Sequence, residues 1–88
     1  MNRQHYSHMI AEFLTMKPKG NLEAFLKAVL TPKETEEIAL RVQIINKLLE
    51  GKSQQKIAKE LKVGVATVTR GAFVTKQDYF KRIEKLWW

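Results

Sequence analysis

The chain has 88 residues, enough for one small domain with a core near the lower limit for independent folding. Sixteen Lys and Arg against nine Asp and Glu give a net charge of +7, which favours a polyanionic partner over an anionic membrane surface. The chain lacks cysteine, which excludes disulfides, and has no apolar run longer than three residues. We therefore expect a cytoplasmic protein without a membrane-spanning helix.

Apolar residues that recur every three or four positions predict two helices in the first third of the chain. The first covers about 2–16, and its apolar residues are Tyr6, Met9, Ile10, Phe13 and Leu14. It should end at Pro18 and Gly20, after which Asn21 should cap a second helix over about 22–30. The apolar face of the second helix comprises Leu22, Phe25, Leu26, Val29 and Leu30.

A third helix should begin at Pro32 and end near residue 50. Thr31 precedes Pro32, and Glu34 is placed to reach back to the Thr31 amide, which is the pattern of a capping box. Gly51 is the expected stop. The apolar stripe of this helix is broad, which indicates a central place in the core; it comprises Ile38, Val42, Ile44, Ile45, Leu48 and Leu49.

The range 53–71 has the pattern of a helix-turn-helix. Ser53 can cap the first helix, the small Ala58 permits close helix approach, and Gly64 stands just before the second helix. Val65 and Val68 are expected to pack inward. Short side chains and one arginine then face outward, as suits a helix in the major groove of DNA; they are Ala66, Thr67, Thr69 and Arg70.

The last predicted helix covers about 76–88. Thr75 and Asp78 have the spacing of a cap at its start. Its expected buried face comprises Tyr79, Phe80, Ile83, Leu86 and Trp87.

Several segments together resemble the bacterial tryptophan-operon repressors. They are Leu30-Thr31-Pro32, Arg41-Val42, Leu48-Leu49-Glu50-Gly51, Ser53-Gln54 and Val65-Ala66-Thr67-Val68-Thr69-Arg70-Gly71. The resemblance implies an all-α fold of about six helices in a single domain, 1–88. It also implies an intertwined homodimer, in which the helices over 2–16, 22–30, 32–50 and 76–88 form a shared core and the helix-turn-helix units protrude.

The resemblance further implies that L-tryptophan binds as a corepressor. Its indole would lie between the guanidinium groups of Arg41 and Arg70, and Arg70 would bind its carboxylate, a geometry that suits arginine. Other pocket residues would be Ile45, Thr67 and Gly71. The turn of the partner chain that holds Ala28, Leu30 and Thr31 would close the pocket and meet the ammonium group.

One segment departs from the family pattern. Tryptophan-responsive members usually follow the Arg-Gly pair with a polar Ser-Asn-Ser run, whose last serine helps hold the ammonium group. This chain has Ala72-Phe73-Val74 instead. Because Val74 cannot make that hydrogen bond, we expect tryptophan to bind more weakly here.

Carried over by position, the resemblance places Val65, Ala66 and Thr69 at the edges of the bases. Gln54 and Thr67 would approach phosphates, with further positive charge from Lys56 and Lys59. Valine and alanine can contact thymine methyl groups, whereas threonine can hydrogen-bond to a base directly or through water.

The sequence therefore favours a DNA-binding transcriptional repressor, activated by L-tryptophan and acting on tryptophan-related operators. Two alternatives remain open at this point: a repressor-like protein without a tryptophan response, and a basic helical interaction module. An enzyme is not expected, because the chain has one Asp, no Cys and no carboxylate–histidine cluster. His5 and His8 lack a third nearby ligand, so no metal site is expected.

Overall fold

The computed structural model describes residues 5–16 and 22–87, and all regular structure in these ranges is helical. The six helices are α1 Tyr6–Met16, α2 Leu22–Val29, α3 Pro32–Leu49, α4 Gln54–Leu61, α5 Val65–Thr75 and α6 Asp78–Trp87. The predicted all-α class with about six helices is thus confirmed. None of these helices is long and apolar enough to cross a membrane. Some predictions concern residues outside the described ranges. They are the helix end at Pro18 and Gly20, the cap at Asn21, and the helical state of residues 2–4 and 88.

Two compact units make up the chain, and the first (Met1–Leu30) contains α1 and α2. The rings of Phe13 and Phe25 connect these helices, with centroids 5.8 Å apart and planes inclined by 32°. No described side chain of α2 is buried. Large apolar side chains on both helices are exposed instead: Tyr6, Met9, Ile10, Phe13, Leu14, Leu22, Leu26 and Val29. This unit therefore leaves the apolar faces of its helices uncovered.

The second unit (Thr31–Trp88) begins with the predicted capping box. The Glu34 amide donates to Thr31 Oγ1 at 3.1 Å, and the Thr31 amide donates to Glu34 Oε1 at 2.8 Å. Pro32 has no amide hydrogen, but no hydrogen bond is lost, because amides in the first turn of a helix have no helical partner. At the other end Gly51 takes a φ of +88°, a conformation that favours glycine. Both predicted ends of α3 are thus confirmed.

Three helices contribute the central apolar cluster of the second unit. Its buried members are Ile44 from α3, Ile57 and Ala58 from α4, and Val68 from α5. Partly buried Leu40, Leu48, Leu61 and Val63 pack against them. Because α4 and α5 both pack on α3, this cluster attaches the helix-turn-helix to that long helix.

The start of α6 differs from the sequence prediction. Thr75 is the last residue of α5, and its hydroxyl donates to the Ala72 carbonyl at 2.7 Å. It is therefore not a cap for α6, and the predicted Thr75–Asp78 cap is wrong. Of the predicted buried face, Phe80 is buried, whereas Tyr79 and Leu86 are well exposed.

Gly71 lies inside α5 where that helix touches α3. A Cβ atom at this position would be 2.5 Å from Ile44 Cγ2, a distance that real Cβ contacts do not show. Ile44 is itself fully buried and branched at Cβ, so it has little room to move away. The close approach of α3 and α5 therefore depends on the missing side chain of Gly71.

We predict that Gly71→Ala destabilises the fold. Overpacking destabilises a fold by about 1–3 kcal/mol, whereas the better helix propensity of alanine stabilises it by up to about 1 kcal/mol. The free energy of unfolding in urea should therefore fall by roughly 1–2 kcal/mol. Gly64→Ser is the matched control, because a Cβ there meets nothing within 4 Å and serine is favoured at a helix N-cap. Equal stability of Gly71→Ala and the wild type would contradict the close helix contact.

Candidate functional site

The turn between α4 and α5 begins at Lys62, and Gly64 stands just before α5 as predicted. Ser53 Oγ caps α4 by accepting from the Lys56 amide at 3.2 Å, as predicted. Lys62 then takes the left-handed conformation, with φ 58° and ψ 46°, which costs a residue other than glycine about 1–2 kcal/mol. Gly64 has an extended backbone, and its carbonyl accepts from the Thr67 amide at 3.1 Å to begin α5. The predicted helix-turn-helix is present, with its positive φ at Lys62.

Helix α5 has three faces with different surroundings, because successive residues of an α-helix lie about 100° apart. Val68 and Ala72 share the buried face. A second face is exposed and consists of Val65, Ala66, Thr69 and Phe73. A third face lines a cleft against α3 and consists of Thr67, Arg70, Gly71 and Val74. The helix thus separates a solvent-facing surface from a cleft.

The exposed face of α5 contains the residues predicted to read bases. Val65 was also expected to pack inward, but 48% of it is exposed, since it is the first residue of α5 and no helical turn precedes it. That packing prediction was wrong for Val65, whereas Val68 is fully buried. Phe73 extends this face two turns beyond Val65 and is 65% exposed. Thr67 does not belong to it, because its side chain lines the cleft.

Two candidate DNA-binding side chains contact each other across the helix-turn-helix. The Thr69 hydroxyl lies 2.7 Å from Gln54 Oε1 and 3.0 Å from the Val65 carbonyl, and it can donate to either. With its oxygen turned towards Thr69, Gln54 is left with its amide nitrogen as a donor for other groups. Lys56 and Lys59 lie exposed on the same helix as Gln54.

The cleft between α3 and α5 has a volume of about 360 Å³, within the usual range for small-ligand sites. It is lined by Glu37, Leu40, Arg41 and Ile44 of α3 and by Thr67, Arg70, Gly71 and Val74 of α5. The two arginines thus come from different helices. Neither has an ion-pair partner in the part of the chain that the structure describes. Their guanidinium groups are available to a ligand.

Four of the predicted ligand residues meet in this cleft: Arg41, Arg70, Thr67 and Gly71. Ile45 is buried but does not line it, because its neighbour Ile44 faces α5 at the Gly71 contact. Thr31 is engaged in the capping box. Ala28 and Leu30 belong to the first unit, and the role predicted for them in a partner chain stays a prediction.

Sequence reasoning missed Glu37, Leu40 and Ile44 as lining residues. Glu37 stands one helical turn before Arg41, so the 3.6-residue period alone brings it to the same side of α3. The position of Leu40 depends on how α3 and α5 cross, which its spacing along the chain does not reveal.

An ion-pair cluster connects α4 to α3 beside the apolar core. Glu60 Oε2 lies 2.8 Å from Lys47 Nζ and 3.2 Å from Lys52 Nζ. Hydrogen bonds from Lys47 and Lys52 lower the pKa of the Glu60 carboxyl below its ordinary 4.5. The bond to Glu60 raises the pKa of Lys47 above 10.5.

These shifts set the pH range in which the cluster stabilises the fold. The Glu60 contribution is complete above about pH 4.5 and is lost as the pH falls through its lowered pKa. The Lys47 contribution is complete below about pH 10.5 and is lost as the pH rises through its raised pKa. The attachment of α4 to α3 is therefore insensitive to pH across the neutral range.

No group of three or more possible metal ligands occurs among the residues that the structure describes. His8 Nε2 lies 3.6 Å from Glu12 Oε1, one turn away on α1.

Comparison with known proteins identifies the family of the chain. The family model described as Trp repressor protein matches residues 4–83. The chain belongs to the Trp repressor family. A Trp operon repressor homolog of Aliivibrio fischeri is 36% identical over 83 residues, which cover 93% of this chain and 75% of that protein. A homolog of Vibrio parahaemolyticus is 47% identical over 65 residues, covering 73% of this chain and 63% of that protein.

A third Trp operon repressor homolog, from Photobacterium profundum, is 49% identical over 51 residues, or 57% of this chain and 50% of that protein. No solved structure matches the chain. Membership of the Trp repressor family makes the chain a repressor-type transcription regulator and not an enzyme. The cleft and the exposed face of α5 are then the surfaces to consider for ligand and DNA.

Proposed function

We propose that the protein is a sequence-specific DNA-binding repressor that takes L-tryptophan as its corepressor and acts on tryptophan-related operators. The observation that carries the proposal is the arrangement of α5. One face of this helix is exposed and carries the short side chains of Val65, Ala66 and Thr69 in its first two turns. The next face lines a cleft with two unpaired arginines. A ligand in the cleft would therefore contact the same helix that reads DNA.

We call the exposed face of α5 the proposed DNA-reading face, or reading face. An α-helix fits the major groove of DNA, and the short side chains of this face suit contact with base edges. Val65 and Ala66 offer methyl groups to thymine, and Thr69 offers a hydroxyl. Thr69 contacts Gln54, so the side chain proposed to meet a base lies next to the one proposed to meet a phosphate. The Gln54 amide nitrogen can then donate to a phosphate oxygen, which positions the helix without reading sequence.

Positive charge supports the same mode of binding. Lys56 and Lys59 are exposed on α4, the helix that also holds Gln54, and the chain carries +7 overall. If each dimer neutralises about six phosphates, the logarithm of affinity should fall against the logarithm of salt concentration with a slope of about −5.

The cleft suits an aromatic amino acid. Arg41 and Arg70 stand on opposite walls, so that an indole ring between them would contact a guanidinium group on each face. Arg70 can also form two parallel hydrogen bonds with a carboxylate. Leu40 and Ile44 supply apolar surface at the same place.

A second candidate function is a family member without a tryptophan response. Val74 favours it, because this residue lines the cleft and offers no hydrogen bond to an ammonium group. The calorimetric experiment below decides between the two.

We predict a homodimer in solution. The apolar side chains left exposed on α1 and α2, together with Tyr79 and Leu86 on α6, form more uncovered apolar surface than a small monomer usually shows. A second copy would cover them. Light scattering should give twice the chain mass of 10.3 kDa, and a monomer mass at tens of micromolar would contradict this.

We predict that Thr69→Ala weakens binding to a palindromic tryptophan-operator-like duplex by about fivefold, since the hydrogen bond of a neutral hydroxyl contributes about 0.5–1.5 kcal/mol. Binding to a scrambled duplex should change little. Thr35→Ala is the control, because its hydroxyl also bonds a helix carbonyl but lies on α3. A gel shift measures both. Equal affinity of the wild type for both duplexes, or a flat salt response, would contradict sequence-specific binding.

We predict that Arg70→Ala removes most tryptophan binding. The variant loses both the ring contact and the carboxylate contact, so affinity should fall by at least about thirtyfold. Arg82→Ala is the control, because it removes the same charge from an exposed site on α6. Calorimetry gives the affinities. A wild type that binds operator DNA but shows no heat with millimolar tryptophan would favour the second candidate function.

A further inference from the structure

Glu37 brings a negative charge into the arginine-lined cleft. It is the only acidic residue among those lining the cleft, and it stands one turn before Arg41 on α3. Glutamate four residues before arginine often forms an ion pair on a helix. In the described part of the chain, Glu37 forms no ion pair with Arg41 or with any other residue. The cleft thus holds two unpaired cationic groups and one unpaired carboxylate.

The opposite wall lacks a polar group where Val74 lies. Val74 has only apolar side-chain atoms, and Thr67 supplies the one neutral hydroxyl in the lining. Within one chain, a ligand whose ammonium group entered this cleft would therefore have one charged partner, the Glu37 carboxylate. Charged partners give the stronger hydrogen bonds, so this group outweighs the hydroxyl of Thr67.

We propose that Glu37 is the specificity residue that binds the α-ammonium group of the corepressor. The inference rests on the proposed function, which supplies an amino acid as the ligand. Arg41 and Arg70 would contact the two faces of the indole ring. Arg70 would also bind the carboxylate, and Glu37 would bind the ammonium group. Each charge of the zwitterion would then have an oppositely charged partner. The carboxylate on α3 then offsets the hydrogen bond that Val74 cannot make.

The pattern also selects against ligands without an ammonium group. Indole-3-propionate carries the ring and the carboxylate of tryptophan but no positive charge. In the cleft it would leave Glu37 unpaired and place two carboxylates near each other, which is unfavourable. The protein should therefore prefer L-tryptophan to indole-3-propionate.

Calorimetry with these two ligands tests the role of Glu37. Glu37→Gln keeps the shape of the side chain and removes its charge. The variant should bind L-tryptophan about tenfold more weakly, or weaker still. Its affinity for indole-3-propionate should stay unchanged or increase. Glu36→Gln is the matched control: it makes the same change one residue earlier on α3, at an exposed side chain that does not line the cleft, and both affinities should stay the same.

The outcomes separate this inference from the proposed function. If the wild type binds L-tryptophan and Glu37→Gln binds it equally well, the Glu37 role is wrong and the proposed function stands. If Glu37→Gln weakens both ligands alike, the residue is structural and the inference is again overturned. If the wild type binds neither ligand, the corepressor proposal fails and this inference fails with it.

Discussion

The contact between Gly71 and Ile44 sets the geometry on which the site depends. Without a Cβ at residue 71, α5 approaches α3 so closely that a methyl group there would overlap the isoleucine. That approach places Arg41 and Arg70 on two walls of one cleft, and it fixes which side of α5 faces outward. A larger residue at position 71 would force the helices apart, and both the cleft and the reading face would move with them.

The ion pairs of Glu60 and the apolar cluster around Ile57 hold α4 on α3, so α5 meets a rigid support. A ligand between α3 and α5 would act on the one helix that presents Val65 and Thr69 to solvent. Arg70 is well placed for such coupling, because it lies at the edge of the cleft face, next to Ala66 on the reading face. In the proposed function, occupancy of the cleft changes the position of α5 rather than its fold.

The features that sequence reasoning located correctly are local. The capping box at Thr31, the Ser53 cap and the stop at Gly51 depend on residues within four positions of each other, and the structure contains all three. The failures have physical reasons. Thr75 continues α5 because its hydroxyl bonds back to Ala72, and Val65 is exposed because no helical turn precedes it in α5. The spacing of Glu37 from Arg41 could have revealed its place in the cleft, whereas the place of Leu40 depends on how α3 and α5 cross.

The central claim is that the cleft and the reading face of α5 are coupled. Fluorescence anisotropy with a labelled operator duplex, with and without saturating L-tryptophan, tests it most directly. Coupling between sites usually amounts to a factor of about 5–150, and it is reciprocal. We expect operator affinity to rise by at least about fivefold with tryptophan, and tryptophan affinity to rise by the same factor on the operator complex. Equal operator affinity with and without bound tryptophan would contradict the account.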